Sequence, residues 1–168
     1  AKEIIEFIEK NPISFMNGQK GQEVLMGSEN VTEVIRTNEV TNTVSKISAM
    51  TEIREFMVAE QQRITKNGGI IMDGRDIGTV VLPKADLKIF LVASVDERAE
   101  RRYKENLSKG IPTDLERLKI EISERDRKDS TRAISPLKQA EDAILLDSTG
   151  KTINEIVQFI EDKAKELM

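Results

Sequence analysis

Apolar positions in this chain recur at two spacings, and the changes of spacing mark out its elements. Ile4, Ile5 and Ile8 share one face of a helix from Lys2 to Lys10. Asn11-Pro12 ends it, because the residue before a proline is pushed out of the helical region. Ile13 to Met16 and Gln22 to Met26 follow as two short strands, with Gly18 and Gly21 between them as in a hairpin. Ser28-Glu-Asn30 marks a further turn, and Val31 to Arg36 fits a short strand or a helical turn equally. Thr41 to Ser48 is polar, with Val44 and Ile47 spaced along it. Thr51 is placed to cap a helix to about Lys66, with Ile53, Phe56, Met57, Glu60 and Ile64 along one side. Asn67-Gly68-Gly69 stops it.

Ile70-Ile-Met72 then reads as a buried strand that breaks at once into Asp73, Gly74, Arg75 and Asp76. Leu87 to Ala93 is nearly all apolar and reads as a strand buried on both faces. Ser94 with Glu97, Thr113 with Glu116 and Thr152 with Glu155 have the form of capping boxes. The first two open helices reaching about Ser108 and about Thr131. The third opens a closing helix that should bury Ile153, Ile156, Val157, Ile160 and Leu167. Ala143 to Leu146 is a last apolar strand. Strands alternating with helices predict an α/β fold, a parallel sheet flanked by helices, with a small antiparallel insert near the start.

Composition narrows the chemistry. The 168 residues form one ordinary domain by length, with 33% charged residues and a net charge of −4. That balance argues against a nucleic-acid groove, and 4% aromatic content leaves few platforms for stacking bases. There is no Cys and no His. Thiolate and imidazole catalysis are excluded, as is a Cys/His zinc site. Chemistry must rest on Asp, Glu, Arg, Lys, hydroxyls, backbone groups or hard cations with oxygen ligands. No apolar run approaches the roughly 20 residues of a membrane span, and Ala-Lys-Glu-Ile-Ile is not a signal peptide, so the expected compartment is the cytoplasm.

Two stretches then carry candidate chemistry. Asp73-Gly-Arg-Asp76 at a strand end suits a phosphorylated ligand at the carboxyl edge of a parallel sheet; it also suits a capped turn with a local Arg–Asp pair. Asp73 after three apolar residues has the form of a Walker-B strand end, where an Asp helps hold Mg²⁺ directly or through water. On the helix from Asp114, Leu115, Leu118 and Ile122 form an apolar stripe that continues as Arg125, Asp129 and Arg132. Either the helix leaves the core after Ile122, or the charged half of the seam faces a ligand such as a phosphorylated sugar. Arg98, Arg101 and Arg102 are a second basic cluster, with Glu97 and Glu100 available as helical partners. The stretch from Lys104 to Pro112 suits a mobile cover. Gly150-Lys-Thr152 imitates the tail of a phosphate-binding loop, but the position five residues before Gly150 is Leu145, inside a strand, so it reads as a turn and helix cap.

Asp73-Gly-Arg-Asp-Ile-Gly-Thr-Val-Val-Leu-Pro83, Asp96-Glu-Arg-Ala-Glu-Arg-Arg102, Glu124-Arg-Asp126, Arg132-Ala-Ile-Ser-Pro-Leu137 and Leu146-Asp-Ser-Thr-Gly150 occur in that order. Together they resemble the bacterial cytidylate kinases, from about Gln22 to the end of the chain. The resemblance implies a nucleoside monophosphate kinase fold and transfer of the ATP γ-phosphoryl group to CMP or dCMP with Mg²⁺, in a cytoplasmic monomer that binds neither nucleic acid nor membrane. It implies that Ser45 and Arg54 contact cytosine and that Asp76 accepts from its amino group. Arg75 and Arg132 would bind the CMP phosphate, Arg125 and Asp129 the sugar hydroxyls, and Asp73 the metal through water. Residues 11–40 would be the CMP-binding insert, and residues 101–125, with Arg101 and Arg102, the lid over ATP. The implied catalytic residues are Arg75, Arg132 and Asp73.

The family begins with a strand, a glycine-rich loop ending in Gly-Lys-Ser or Gly-Lys-Thr, and a helix, and these 168 residues contain no such unit. The expectation is therefore an N-terminally incomplete kinase domain that has no useful activity by itself. The other readings are a CMP-binding module without activity and an interaction domain on the same scaffold.

Overall fold

The computed structural model describes residues 1–19 and 21–167, apart from the side chains of Asn38, Asn42 and Ser45. They form two compact units, residues 1–68 and 69–168.

In the first unit, α1 (Lys2–Lys10) precedes the hairpin of β1 (Ile13–Gly18) and β2 (Gly21–Met26). The strands are antiparallel, with Ile13 opposite Met26 and Gly18 opposite Gly21. Gly21 has φ 118°, which only glycine adopts without strain. A short third strand, β3 (Glu29–Asn30), adds to β2. The edge is closed by side chains: Thr32 Oγ1 accepts from Val24 N at 2.8 Å, and Asn30 Oδ1 from Thr32 N at 3.0 Å. Residues 34–36 form a 3-10 turn, settling the ambiguity of this segment in favour of a helical turn.

Next come α2 (Asn38–Ile47) and α3 (Thr51–Thr65). The apolar spacing did not announce α2, which is rich in Thr and Asn, residues of weak helix propensity. Its Thr41 and Thr43 hydroxyls donate to carbonyls four residues back, both at 2.9 Å. Met50, not Thr51, stands at the N-cap of α3, so Thr51 is already helical and caps nothing. Helix α1 packs on α3, whose Ile53 is buried.

The second unit is built on a parallel pair, β4 (Ile89–Val92) and β5 (Ile144–Asp147), in register from Ile89–Ile144 to Val92–Asp147. Between them run α4 (Val95–Ser108) and α5 (Leu115–Thr131), packed on each other; α6 (Ile153–Lys165) follows. The α/β class with a parallel sheet, helices and a separate small antiparallel sheet is as expected. Val81, Ala99, Leu118 and Leu146 are buried here.

Three expectations fail in this unit. Residues 70–72 form no strand, and Ile71 is 99% exposed. An extended apolar segment becomes a strand only when a neighbour takes its backbone groups, and the sheet of the described residues here is only the β4–β5 pair. Accordingly β4 is not buried on both faces, since Leu91 is exposed, as is Leu145 on β5. On α6, Ile153 (78%), Val157 and Leu167 are exposed, while Ile156 and Ile160 are half-buried.

Caps differ too. Ser94 accepts from Glu97 N at 3.1 Å, but the Glu97 carboxylate turns to Arg101, so this box is half formed. Asp114, rather than Thr113, caps α5, accepting from Arg117 N at 2.7 Å. Thr113 is occupied by Asn106 Nδ2 and Ile111 O. At α6 the Thr152–Glu155 box is complete, after a turn with Gly150 at φ 70°.

Candidate active site

The segment from Asp73 to Pro83 is an irregular loop followed by a single π turn. Asp73 is exposed, and among the described residues no hydrogen bond or ion pair joins it to the charged groups that follow. A Cβ on Gly74 would stand 2.8 Å from Ile77 Cγ1, so glycine lets Ile77 fold back over the loop. Asp76 opens the turn Ile77–Val81: Val80 N and Val81 N both donate to Asp76 O, at 2.8 and 3.3 Å, and Leu82 N to Ile77 O at 2.7 Å. Such isolated π turns are frequent at functional sites.

The end of α5 meets this segment. Asp129, 15% exposed, takes a hydrogen bond from Arg75 Nε at 2.9 Å. Arg125 Nε lies 3.9 Å and Arg132 Nη1 3.7 Å from the same carboxylate. Arg132, 18% exposed, also approaches Asp76 Oδ1 at 3.9 Å. Its position is set by the loop after the helix, where Arg132 Nε donates to Ser135 O, Leu137 N donates to Asp129 O at 2.8 Å, and Ser135 takes the left-handed φ of 49°. Arg75, Asp76, Arg125, Asp129 and Arg132 are thus brought together. The seam does not simply leave the core, because Asp129 and Arg132 stay largely covered and only Arg125 is exposed. Arg75 reaches across 54 residues to Asp129 rather than pairing within its own turn.

The other expected residues have other partners. Arg54, in the first unit, donates through Nε and Nη2 to Ser48 O at 3.0 and 2.7 Å. The Ser45 side chain lies outside the described residues. Arg101 bonds Glu97 at 2.8 Å and Ser148 O at 2.8 Å, at the carboxyl end of β5, and Arg102 stays on α4 beside Glu105 at 3.7 Å. Nearby, the Thr149 N–H holds the Asp147 carboxyl below the usual range.

Ionic contacts between distant residues were missed from sequence, two of them instructive. Arg98 forms a two-pronged pair with Asp126, at 3.0 and 2.6 Å, joining α4 to α5. Helical spacing offered Arg98 only partners on its own helix. Lys88 is 7% exposed and donates to Asp142 and to Pro83 O. Its signal was visible: one lysine inside the apolar run Leu87 to Ala93.

The description "Cytidylate kinase" matches residues 1–166. The chain belongs to the cytidylate kinase family. It is 99% identical over all its 168 residues to a cytidylate kinase of Lactococcus lactis subsp. lactis (strain IL1403), spanning 76% of that protein. It is 85% identical to one from Lactococcus lactis subsp. cremoris (strain MG1363), again across 76% of it. A Streptococcus pyogenes serotype M6 cytidylate kinase is 63% identical over 166 residues, 98% of this chain and 74% of the relative. As a cytidylate kinase family member the chain is a nucleoside monophosphate kinase, a phosphotransferase. Membership gives no support to an inactive module or a bare interaction domain as its role. Among the described residues no helix is long and apolar enough to cross a membrane.

Proposed function

We propose that Arg75, Asp76, Arg125, Asp129 and Arg132 are the acceptor side of the kinase site, taking CMP or dCMP for transfer of the γ-phosphoryl group of ATP. One observation carries this reading. Three guanidiniums gather around Asp129, yet only Arg75 is at hydrogen-bond distance from it. A phosphate oxygen entering beside them would gain charge-assisted, two-pronged contacts that the long ion pairs lack.

In this reading Arg75 and Arg132 hold the CMP phosphate, Arg125 and Asp129 the sugar hydroxyls, and Asp76 accepts from the cytosine amino group. The family resemblance also assigns Ser45 and Arg54 to the base and residues 11–40 to the CMP-binding insert. A phosphate oxygen of CMP attacks the γ-phosphorus of ATP; the bond to the β–γ bridging oxygen breaks, giving CDP and ADP. Positioning and charge neutralisation do most of this work, and arginine supplies both without a histidine. Among the described residues there is no cluster of three or more metal-ligating side chains. Exposed Asp73 alone fits a Mg²⁺ that keeps its waters and takes its other ligands from phosphates. When bound, that ion would neutralise charge between the β- and γ-phosphates.

Residues 101–125, spanning the end of α4 and the start of α5, suit the lid over ATP; Arg101 and Arg102 would act from its base. Net charge −4 argues against a nucleic-acid surface, and a cytoplasmic monomer is the form proposed, which size-exclusion chromatography with light scattering tests for its oligomeric part.

CMP titration calorimetry on the full-length enzyme tests the site: binding should be lost in Arg132→Ala and in Asp76→Ala, and UMP should bind poorly. Unchanged CMP binding in both variants refutes the assignment. Because these 168 residues contain no Gly-x4-Gly-Lys-Ser/Thr pattern, we also infer that they show no useful turnover by themselves. Ordinary turnover by the bare 168 residues in a coupled assay would overturn that.

A further inference from the structure

We propose that Lys88 is a positioning residue for base recognition, holding the turn that presents Asp76. It rests on the reading of Asp76 as the base-contacting carboxylate.

Lys88 stands at the start of the β4–β5 ladder, where its carbonyl accepts from Ile144 N at 2.9 Å. Its backbone is therefore fixed by the sheet. Its side chain is nearly enclosed, and the ammonium donates to Pro83 O at 2.6 Å and to both Asp142 oxygens at 2.9 and 2.7 Å. A lysine so covered is costly unless its charge is met, and these acceptors meet it. The Lys88 ammonium in turn holds the Asp142 carboxyl below its usual range.

Pro83 closes the segment that Asp76 opens. Between them lies the π turn, whose first carbonyl is that of Asp76. The Lys88 stem runs along the turn: a Cβ on Gly78 would meet Lys88 Cδ at 3.5 Å and Cγ at 3.8 Å. The far side of the same space is Ala140, 3.9 Å from that Cβ position, two residues from Asp142. Lys88 thus grips the turn at Gly78 and at Pro83 and refers both to the sheet. Loosening that grip frees the Asp76 end to rotate, while Arg75 stays tied to Asp129 at 2.9 Å and Arg125 and Arg132 keep their places on and just after α5. Base selection should suffer more than phosphate binding.

The test uses the full-length enzyme with Lys88→Met, which keeps the stem and removes the ammonium, and Asp142→Asn, which alters only the outer partner. KM for CMP should rise about tenfold in Lys88→Met, the loss of one charge-assisted contact set, with KM for ATP unchanged. The preference for CMP over UMP should fall by a similar factor, and Asp142→Asn should move both in the same direction by less. If Lys88→Met fails to fold, Asp142→Asn decides. A lower melting temperature with CMP KM and base preference untouched overturns the proposal, as does an equal rise in both KM values. Asp76→Asn is measured alongside. If it leaves base preference intact, the site reading and this proposal both fall. If it abolishes the preference while the Lys88 and Asp142 variants keep it, only this proposal falls.

Discussion

Helix α5 carries two aspartates three residues apart that are met by arginine in opposite ways. Asp126 is saturated by one partner: both Arg98 prongs reach it, at 3.0 and 2.6 Å. Asp129 is approached by three arginines and hydrogen-bonded by one of them, Arg75. The first arrangement matches one guanidinium to one carboxylate, prong for prong. The second gathers more cationic groups than one carboxylate can satisfy. Similar residue types on one helix therefore give a clamp between two helices in one place and, in the proposed site, the anion-receiving cluster in the other.

Substitutions can break that contrast, beginning where the effect should be largest. In the full-length enzyme, Arg132→Ala should lower kcat/KM for CMP about a hundredfold or more, through lost charge-assisted contacts. Steady-state kinetics at varied CMP checks it. Asp129→Asn should raise KM for CMP about tenfold with a small change in melting temperature, because Arg75 loses its anionic partner while the shape persists. If Asp129→Asn lowered stability and left KM alone, Asp129 would belong with Asp126. Asp126→Ala should do the reverse, costing ~1 kcal/mol in chemical denaturation, as expected for a pair about a third exposed, with KM for CMP unaltered. Smallest is Thr152→Ala at the α6 cap, about 0.5 kcal/mol at neutral pH. The Thr152 N–H and hydroxyl hold the Glu155 carboxyl below its usual range. Its contribution is present above the unfolded value of about 4.3 and is lost as pH falls through the lower folded value, so the Thr152→Ala deficit should shrink in acid. Urea titrations at neutral and acid pH measure this.

The same contrast explains what could be read without coordinates. The β1–β2 hairpin, the limits of α1 and α4, the end of α5 and the α6 capping box depend on residues close in the chain, and all were legible. The apolar-to-ionic seam on α5 was legible as a pattern, but only geometry separates a solvated face from a converging one. Ile70–Met72 and Ile89–Phe90-Leu-Val92 look alike as sequence; the second pairs with β5 and the first has no strand beside it. Strand formation is a property of two segments, and one segment carries half of the information. Arg98–Asp126 and Lys88–Asp142, separated by 28 and 54 residues, were hidden for the same reason. Helix α2 was hidden because its Thr and Asn content contradicts the conformation it adopts.

The gathering at Asp129 has one more consequence, for the response to acidity. These 168 residues hold no His or Cys, the side chains whose ordinary values lie nearest neutral. Between roughly pH 5.5 and 9 the proposed acceptor site therefore offers no side chain of those two types. The group that titrates in that window is the nucleotide's own phosphate, whose second ionisation lies near about 6. The acid limb of the kcat/KM profile should follow the ionisation of whichever monophosphate is supplied and stay in place in Asp129→Asn. Discrimination by charge would then be exercised by the substrate arriving in its dianionic form.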